Sequence, residues 1–363
     1  MAQQIKEKKS LLEMEINIGG VSLIQKSVFA KHLAIMLKAG LPITEALHIA
    51  QDSATGKLKK IIREISGSVK TGRSLSTSFS RYPGVFSPFF INATYAGEVS
   101  GSLTESLENV AEQLEKEKEL TSKIKGAMLY PTIVLVSAFI LGMVLVFVIL
   151  PKIVPLFKGL RVELPVTTRA LIAFSTIIQN HGSYLFFGTI FFVVFMAWLV
   201  KQKFSQPVIH WSFLNIPILK DITRNAKLSE FSRTLAMLLK SGVNIDKALE
   251  ISKDTIGNYY FRRALNKISH DIRKGTKLSE GLAQYDDLFP TMLVRMIGVG
   301  EESGNFEEIL FYLSDFYEAE VDTATKALST AIEPLLLIFI GSVVGFLALS
   351  IITPIYGITS GIK

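Results

Sequence analysis

Cysteine is absent from this 363-residue chain, which removes disulfide frameworks and thiolate metal sites and leaves the redox state of its compartment unreadable. The five histidines, His32, His48, His181, His210 and His270, fall in no H-x-x-H or H-E-x-x-H spacing, so none of them reads as a metal ligand. Neither Gly56-Lys57 nor Gly275-Thr-Lys277 belongs to a Walker A loop, and no G-x-S-x-G elbow occurs. Asp, Glu, Lys and Arg are missing from three long stretches, 126–151, 170–200 and 334–362. Ion-coupled carriers usually build their coupling from intramembrane ionisable groups, and these stretches supply none. The absences argue against an enzyme and against a coupled transporter.

What remains is a hybrid. Apolar residues make up 49% of the chain and charged residues 20%, with a mean hydropathy of +0.37, too greasy for an ordinary soluble enzyme and too charged for a wholly embedded carrier. Each uncharged stretch holds an apolar core near the length of a bilayer span. Residues 1–127 carry 17 basic and 13 acidic side chains, and 201–333 carry 17 and 18, so no domain has the basic excess of a nucleic-acid binder. The start of the chain, charged and leading into Leu11-Leu-Glu-Met-Glu15, lacks the apolar core of a signal peptide. Lys116, Lys118, Lys123 and Lys125 precede the first span, and Lys201 and Lys203 follow the second; the positive-inside rule places both flanks in the cytosol. The expected layout is an N-terminal segment 1–27, a cytosolic domain 28–127, spans 128–150 and 184–200 joined by an external loop 151–183, a cytosolic linker 201–229, a second cytosolic domain 230–333, a third span 334–352 and an external tail 353–363.

Self-comparison is more informative than composition. From Phe29 to Gln51, 10 of 23 positions are identical to those 202 residues later, beginning Phe29-Ala-Lys-His-Leu-Ala against Phe231-Ser-Arg-Thr-Leu-Ala. At an offset of 203, Gly72, Leu75, Ser76, Phe86, Gly97, Glu98, Ser100, Gly101, Glu105, Leu107 and Pro131 meet Gly275, Leu278, Ser279, Phe289, Gly300, Glu301, Ser303, Gly304, Glu308, Leu310 and Pro334. The duplicated unit is therefore a domain plus the span that follows it. Like domains share a side only if an even number of spans separates them, and the unmatched second span satisfies that condition.

Within each unit the periodicity is helical. Phe29, Leu33, Met36, Leu37 and Gly40 form one stripe ending at a glycine suited to a C-terminal cap. Ser102-Leu-Thr-Glu105 and Asn305-Phe-Glu-Glu308 read as capping boxes opening long helices. The pattern predicts an all-α membrane protein with two homologous cytosolic helical bundles of about six helices each and three transmembrane helices. One exception is Ile16 to Leu23, which alternates around Gly19-Gly20 and suits a small hairpin.

Two copies of Phe-x-x-x-Leu-Ala-x-x-Leu-x-x-Gly, each followed by Gly-Glu-x-Ser-Gly, a long helix and a proline-led span, resemble the inner-membrane platform proteins of type II secretion and type IV pilus assembly. The pieces are Phe29 to Gly40 with Gly97 to Gly101, and Phe231 to Gly242 with Gly300 to Gly304. The resemblance covers about Val28 to Ile352, and relatives carry a longer leader than the segment found here. It implies a non-enzymatic scaffold in the bacterial cytoplasmic (inner) membrane, N-terminus cytosolic and C-terminus external. Such a scaffold self-associates, works beside other inner-membrane assembly proteins, receives a cytosolic hexameric ATPase and passes its motion to pilin or pseudopilin subunits. A small-solute permease built on duplicated units is the rival reading, and it would need polar, broken spans near the midplane.

Individual residues carry paired readings. Glu98 and Glu301 suit either hydrogen bonding to backbone N–H groups at the next helix start or contact with a partner, alongside Ser100 and Ser303. Gly97, Gly101, Gly300 and Gly304 suit unusual backbone angles. Glu108 and Glu112 share a helix face; the resemblance implies calcium near them and near Thr55, against a solvated acidic face beside Lys116 and Lys118. Gly341 and Gly345 permit close helix approach, within the protomer or towards an oligomer or pilin partner.

Overall fold

The computed structural model describes residues 20–144 and 219–361 throughout, and only parts of 148–217. Thirteen helices can be given bounds, and no strand occurs among the described residues. The first six are α1 (Leu23–Lys38), α2 (Ile43–Ser53), α3 (Gly56–Lys70), α4 (Leu75–Ser80), α5 (Pro88–Ser100) and α6 (Leu103–Val144). After α7 (Gln206–Asn215) the series repeats as α8 (Leu219–Lys240), α9 (Ile245–Thr255), α10 (Tyr259–Ile272), α11 (Leu278–Ala283), α12 (Thr291–Ser303) and α13 (Phe306–Gly361). Six helices per repeat agrees with the sequence. The hairpin does not form over its described part, because Leu23 already opens α1 under a capping box in which Ser22 and Gln25 each satisfy the other's backbone N–H; residues 16–19 lie outside the described residues.

The chain divides into two compact units, one from residues up to Ser122 with Leu219–Val321, the other from Lys123–Ile218 with Asp322–Lys363. In the first unit each repeat has its own aromatic centre. Phe79 stands 4.5 Å from Phe86 and 4.9 Å from Phe90, ring centroid to centroid, with Phe29 completing the cluster. The second repeat redistributes the volume. Phe29 and Phe86 persist as Phe231 and Phe289, Leu282 and Leu293 replace Phe79 and Phe90, and Phe261 takes the place of Leu58. Compensating exchanges of this kind preserve a core because total volume and apolar pattern are kept.

The second unit holds the apolar ends of the two long helices. Windows within Leu103–Val144 and Phe306–Ser350 have mean hydropathies of 2.1 and 2.3 and almost no internal burial, the surface expected of helices facing lipid. Both pass through their prolines: Pro131 lies inside α6 and Pro334 inside α13, so each proline-led span is the continuation of a longer helix. A proline denies its i−4 carbonyl a helical partner. For Pro131 that carbonyl is Ala127's, and the Ser329 hydroxyl shares its one proton between this oxygen and Thr325 O, each at 3.1 Å. The stretch 201–229, expected as a linker, contains α7 and the start of α8, and α13 continues as helix beyond Ile352 to Gly361. The second span and the external loop lie largely outside the described residues.

Candidate functional site

The duplicated glutamates are the best-built polar positions in the first unit. Glu98, near the end of α5, accepts from Leu75 N, from Ser76 N at 3.1 Å and from the Ser76 hydroxyl. Glu301, near the end of α12, repeats the set with Leu278 N at 2.6 Å, Ser279 N at 3.2 Å and the Ser279 hydroxyl at 2.5 Å. Each carboxylate thus neutralises the N-terminus of a six-residue helix, α4 or α11, which is too short to persist by propensity alone. The sequence pointed to the next helix start; the structure places the bonds 22 and 23 residues back instead. A signal for this was present, since Leu75-Ser76 and Leu278-Ser279 are duplicated in register with the glutamates.

The glycines divide into two jobs. Gly101 and Gly304 end α5 and α12 in the left-handed region, each at φ +75°, where a Cβ is strained. Gly97 and Gly300 lie inside those helices, and a Cβ there would stand 2.5 Å from Ser106 Oγ or 3.0 Å from the Phe306 ring. Unusual backbone angles therefore account for one glycine of each motif, and close approach of the following helix for the other. Ser100 donates to Ala96 O at 2.8 Å and lies 2.7 Å from the Ser102 hydroxyl, while Ser303 Oγ accepts from Asn305 N at 3.3 Å. Carboxylates committed to amides in this way brace the α4–α5–α6 and α11–α12–α13 corners.

Glu108 meets a lysine. Lys38 Nζ lies 2.8 Å from its carboxylate, and that hydrogen bond, then its charge, raises the Lys38 ammonium above the usual lysine range. The Thr55 hydroxyl accepts from Gln25 Nε2 at 3.5 Å, and Glu112 is exposed. Among the described residues no three acidic or histidine side chains converge as a metal site. Gly341 and Gly345 are open: no atom lies within 4 Å of a Cβ built at either.

Sequence reasoning missed the seam between the repeats. Helix α5 lies against α9, and α6 lies along α8, with Gln113 Nε2 3.4 Å from Thr234 Oγ1 and Asn109 Nδ2 3.5 Å from Ser241 Oγ. Next to this seam, Arg233 Nη2 reaches Glu318 at 2.8 Å and Asp315 at 3.1 Å, and Lys116 of the first repeat stands 3.9 Å from the same Glu318. The available sign was the duplication itself, since Lys31 and Glu115 are the counterparts of Arg233 and Glu318.

The repeated architecture has a counterpart among known proteins. The family described as type II secretion system (T2SS), protein F, matches residues 29–151 and, a second time, 231–354. The chain belongs to this family. The matches start at the duplicated Phe29 and Phe231 and run past the proline of the following long helix, so one protein F unit equals one structural repeat. Relatives include the type IV pilus assembly protein PilC of Thermus thermophilus, 36% identical over 98% of this chain and 88% of its own length. The PilC of Myxococcus xanthus is 32% identical, covering 98% and 86%, and the type II secretion system protein F of Aeromonas hydrophila is 30% identical, covering 93% and 87%. The protein F family thus joins pilus assembly and type II secretion proteins, and the Gly-Glu-x-Ser-Gly corners are built twice in this member of it.

Proposed function

We propose that this protein is the non-enzymatic platform of a type IV pilus or type II secretion assembly machine in the bacterial cytoplasmic membrane. In this reading it has three spans, with both repeats and the N-terminus in the cytosol and the C-terminus outside. The repeats receive a cytosolic hexameric ATPase, self-associate and engage other inner-membrane assembly proteins. The spans, with their exposed apolar faces and the open Gly341 and Gly345, meet pilin or pseudopilin subunits during insertion or extraction.

The observation that carries the reading is helical continuity. Helix α6 runs 42 residues and α13 runs 56, about 63 and 84 Å at 1.5 Å per residue, and each leads without a break from a charged, packed segment into an apolar one. Such helices transmit displacement because bending them costs backbone hydrogen bonds. The Ser329 hydroxyl on the Ala127 carbonyl supports this at the position where Pro131 would otherwise weaken α6.

Removing the gene while leaving the assembly ATPase in place tests the reading. Filaments or secreted substrate should be lost and return with the intact gene; normal assembly without the protein overturns the proposal. Inserting three glycines after Lys118 should block assembly with both repeats still folded.

A further inference from the structure

The two repeats are alike, but among the described residues the face of α8 that is covered at the seam has an uncovered counterpart on α1. On α8, Thr234, Met237 and Leu238 are buried, Met237 to 1% exposure, and α6 supplies the polar partners Asn109 and Gln113 at that seam. The counterparts on α1 are His32, Ile35 and Met36, which with Ala39 form a stripe at i, i+3, i+4 and i+7. There His32 is exposed, Ile35 is 53% exposed and Met36 half-buried. The helix that would cover this stripe by the same packing is the repeat equivalent of α6, namely α13. Its equivalent face is also uncovered: Tyr312, counterpart of Asn109, is 52% exposed and stacks at 6.5 Å on Phe316, counterpart of Gln113.

We infer that the Tyr312–Phe316 face of α13 in one copy docks on the His32–Ala39 face of α1 in a second copy, repeating between chains the α6-on-α8 packing seen within one. Chemistry favours this occupant. The covered seam sets the amides of Asn109 and Gln113 against Thr234 and Ser241 beside buried Met237 and Leu238, whereas the two uncovered faces set aromatic rings on one side and Ile35, Met36 and Ala39 on the other, the composition of an interface core. At the rims each face carries a charge of both signs, Asp315 beside Arg233 at the first and Lys31 beside Glu115 at the second, so neither rim repels the other. Each copy keeps one face of each kind, so the contact is head-to-tail and is completed by ring closure among copies held in one membrane. The inference rests on the platform reading only for the presence of neighbouring copies.

The absence of cysteine makes the test direct. By repeat equivalence, Gln113–Thr234 becomes Phe316–His32 between chains, and Asn109–Ser241 becomes Tyr312–Ala39. Two differently tagged copies, one His32→Cys and one Phe316→Cys, are co-expressed and oxidised in native membranes, with Ala39→Cys and Tyr312→Cys as a second pair and Gln113→Cys/Thr234→Cys as an intrachain control. The expected result is a disulfide joining the two tags, stronger than any 32–32 or 316–316 product, and a multi-copy series when one chain carries both cysteines. Monomers only, 32–32 linkage only, bridging of 32 to 316 inside one chain, or failure of the control bridge would each overturn the inference. So would preferential bridging of His32→Cys to Leu12→Cys, which would give the face to the N-terminal segment. Filament assembly is not read, so a failed cross-link leaves the platform proposal standing.

Discussion

Arg233 and Glu318 form a buried ion pair, Nη2 to Oε2 at 2.8 Å with side chains 6% and 10% exposed, while their repeat counterparts Lys31 and Glu115 meet at 3.5 Å with 57% and 50% exposed. The same duplicated contact has therefore diverged into two energetic classes. Removing one partner of a buried pair costs about 3–5 kcal/mol when the charge left behind has no other partner, a cost that Lys116, 3.9 Å from Glu318, reduces here, whereas an exposed pair is worth at most about 1 kcal/mol. Arg233→Ala should lower the denaturation midpoint of the detergent-solubilised protein sharply. Lys31→Ala should leave it nearly unchanged, and equal losses would contradict the assignment.

Glu98 and Glu301 make a second pair of tests. Replacing Glu301 by Ala removes charge-assisted bonds to Leu278 N and Ser279 N, a loss of about 2 kcal/mol. Glu301→Gln keeps an acceptor and should lose roughly half of that. Glu98 variants should behave alike because the geometry is repeated. Proteolysis near α4 or α11 should accelerate in the Ala variants, and unchanged protection would show that the carboxylates do not hold those helices.

Much of this architecture was legible in the chain, and the reason is duplication. Paired stripes such as Phe29 to Gly40 and Phe231 to Gly242 fix helix type, register and repeat length, and paired Gly101 and Gly304 mark turns that need a left-handed residue. What escaped is tertiary. The Glu98 carboxylate reaches across to a helix 23 residues earlier, a choice that local spacing does not express. Gly97 is helical, and only the position of Ser106 explains it. Arg233 is buried through the docking of one repeat on the other, so nothing in its own neighbourhood separates it from Lys31. The capping box of Ser22 with Gln25 lies beside Gly19-Gly20, a pair equally suited to a hairpin turn, so local spacing does not separate the two.

Ser329 and Pro131 should be coupled. Ser329→Ala leaves the Ala127 carbonyl without its share of the hydroxyl that Thr325 O also accepts, a loss of at most about 1 kcal/mol. In a Pro131→Ala background the helix supplies its own N–H, so the same substitution should cost close to nothing. A double-mutant cycle in lipid or detergent measures this directly, and additive effects would remove the proposed repair of α6.

Tyr317 predicts an alkaline limit. Burial is the main cause that pushes its hydroxyl up to about 12, with Arg224 opposing and Glu320 adding to the rise. The folded pKa exceeds the unfolded value near 10.0, so the stabilisation is complete below pH 10 and is lost as pH climbs towards 12. Tyr317→Phe should flatten the fall in unfolding midpoint across that window while changing stability little at pH 8. An identical alkaline fall in both proteins would contradict the assignment.

The central claim is that a duplication placed twin helical repeats on the same, cytosolic side of a membrane, packed against each other. Because the chain has no cysteine of its own, single cysteines at exposed Thr77 and Glu280, one in each repeat, can be probed with a membrane-impermeant maleimide. Both should stay unlabelled in intact spheroplasts and label fully once the membrane is opened; labelling of either one from outside would contradict the account.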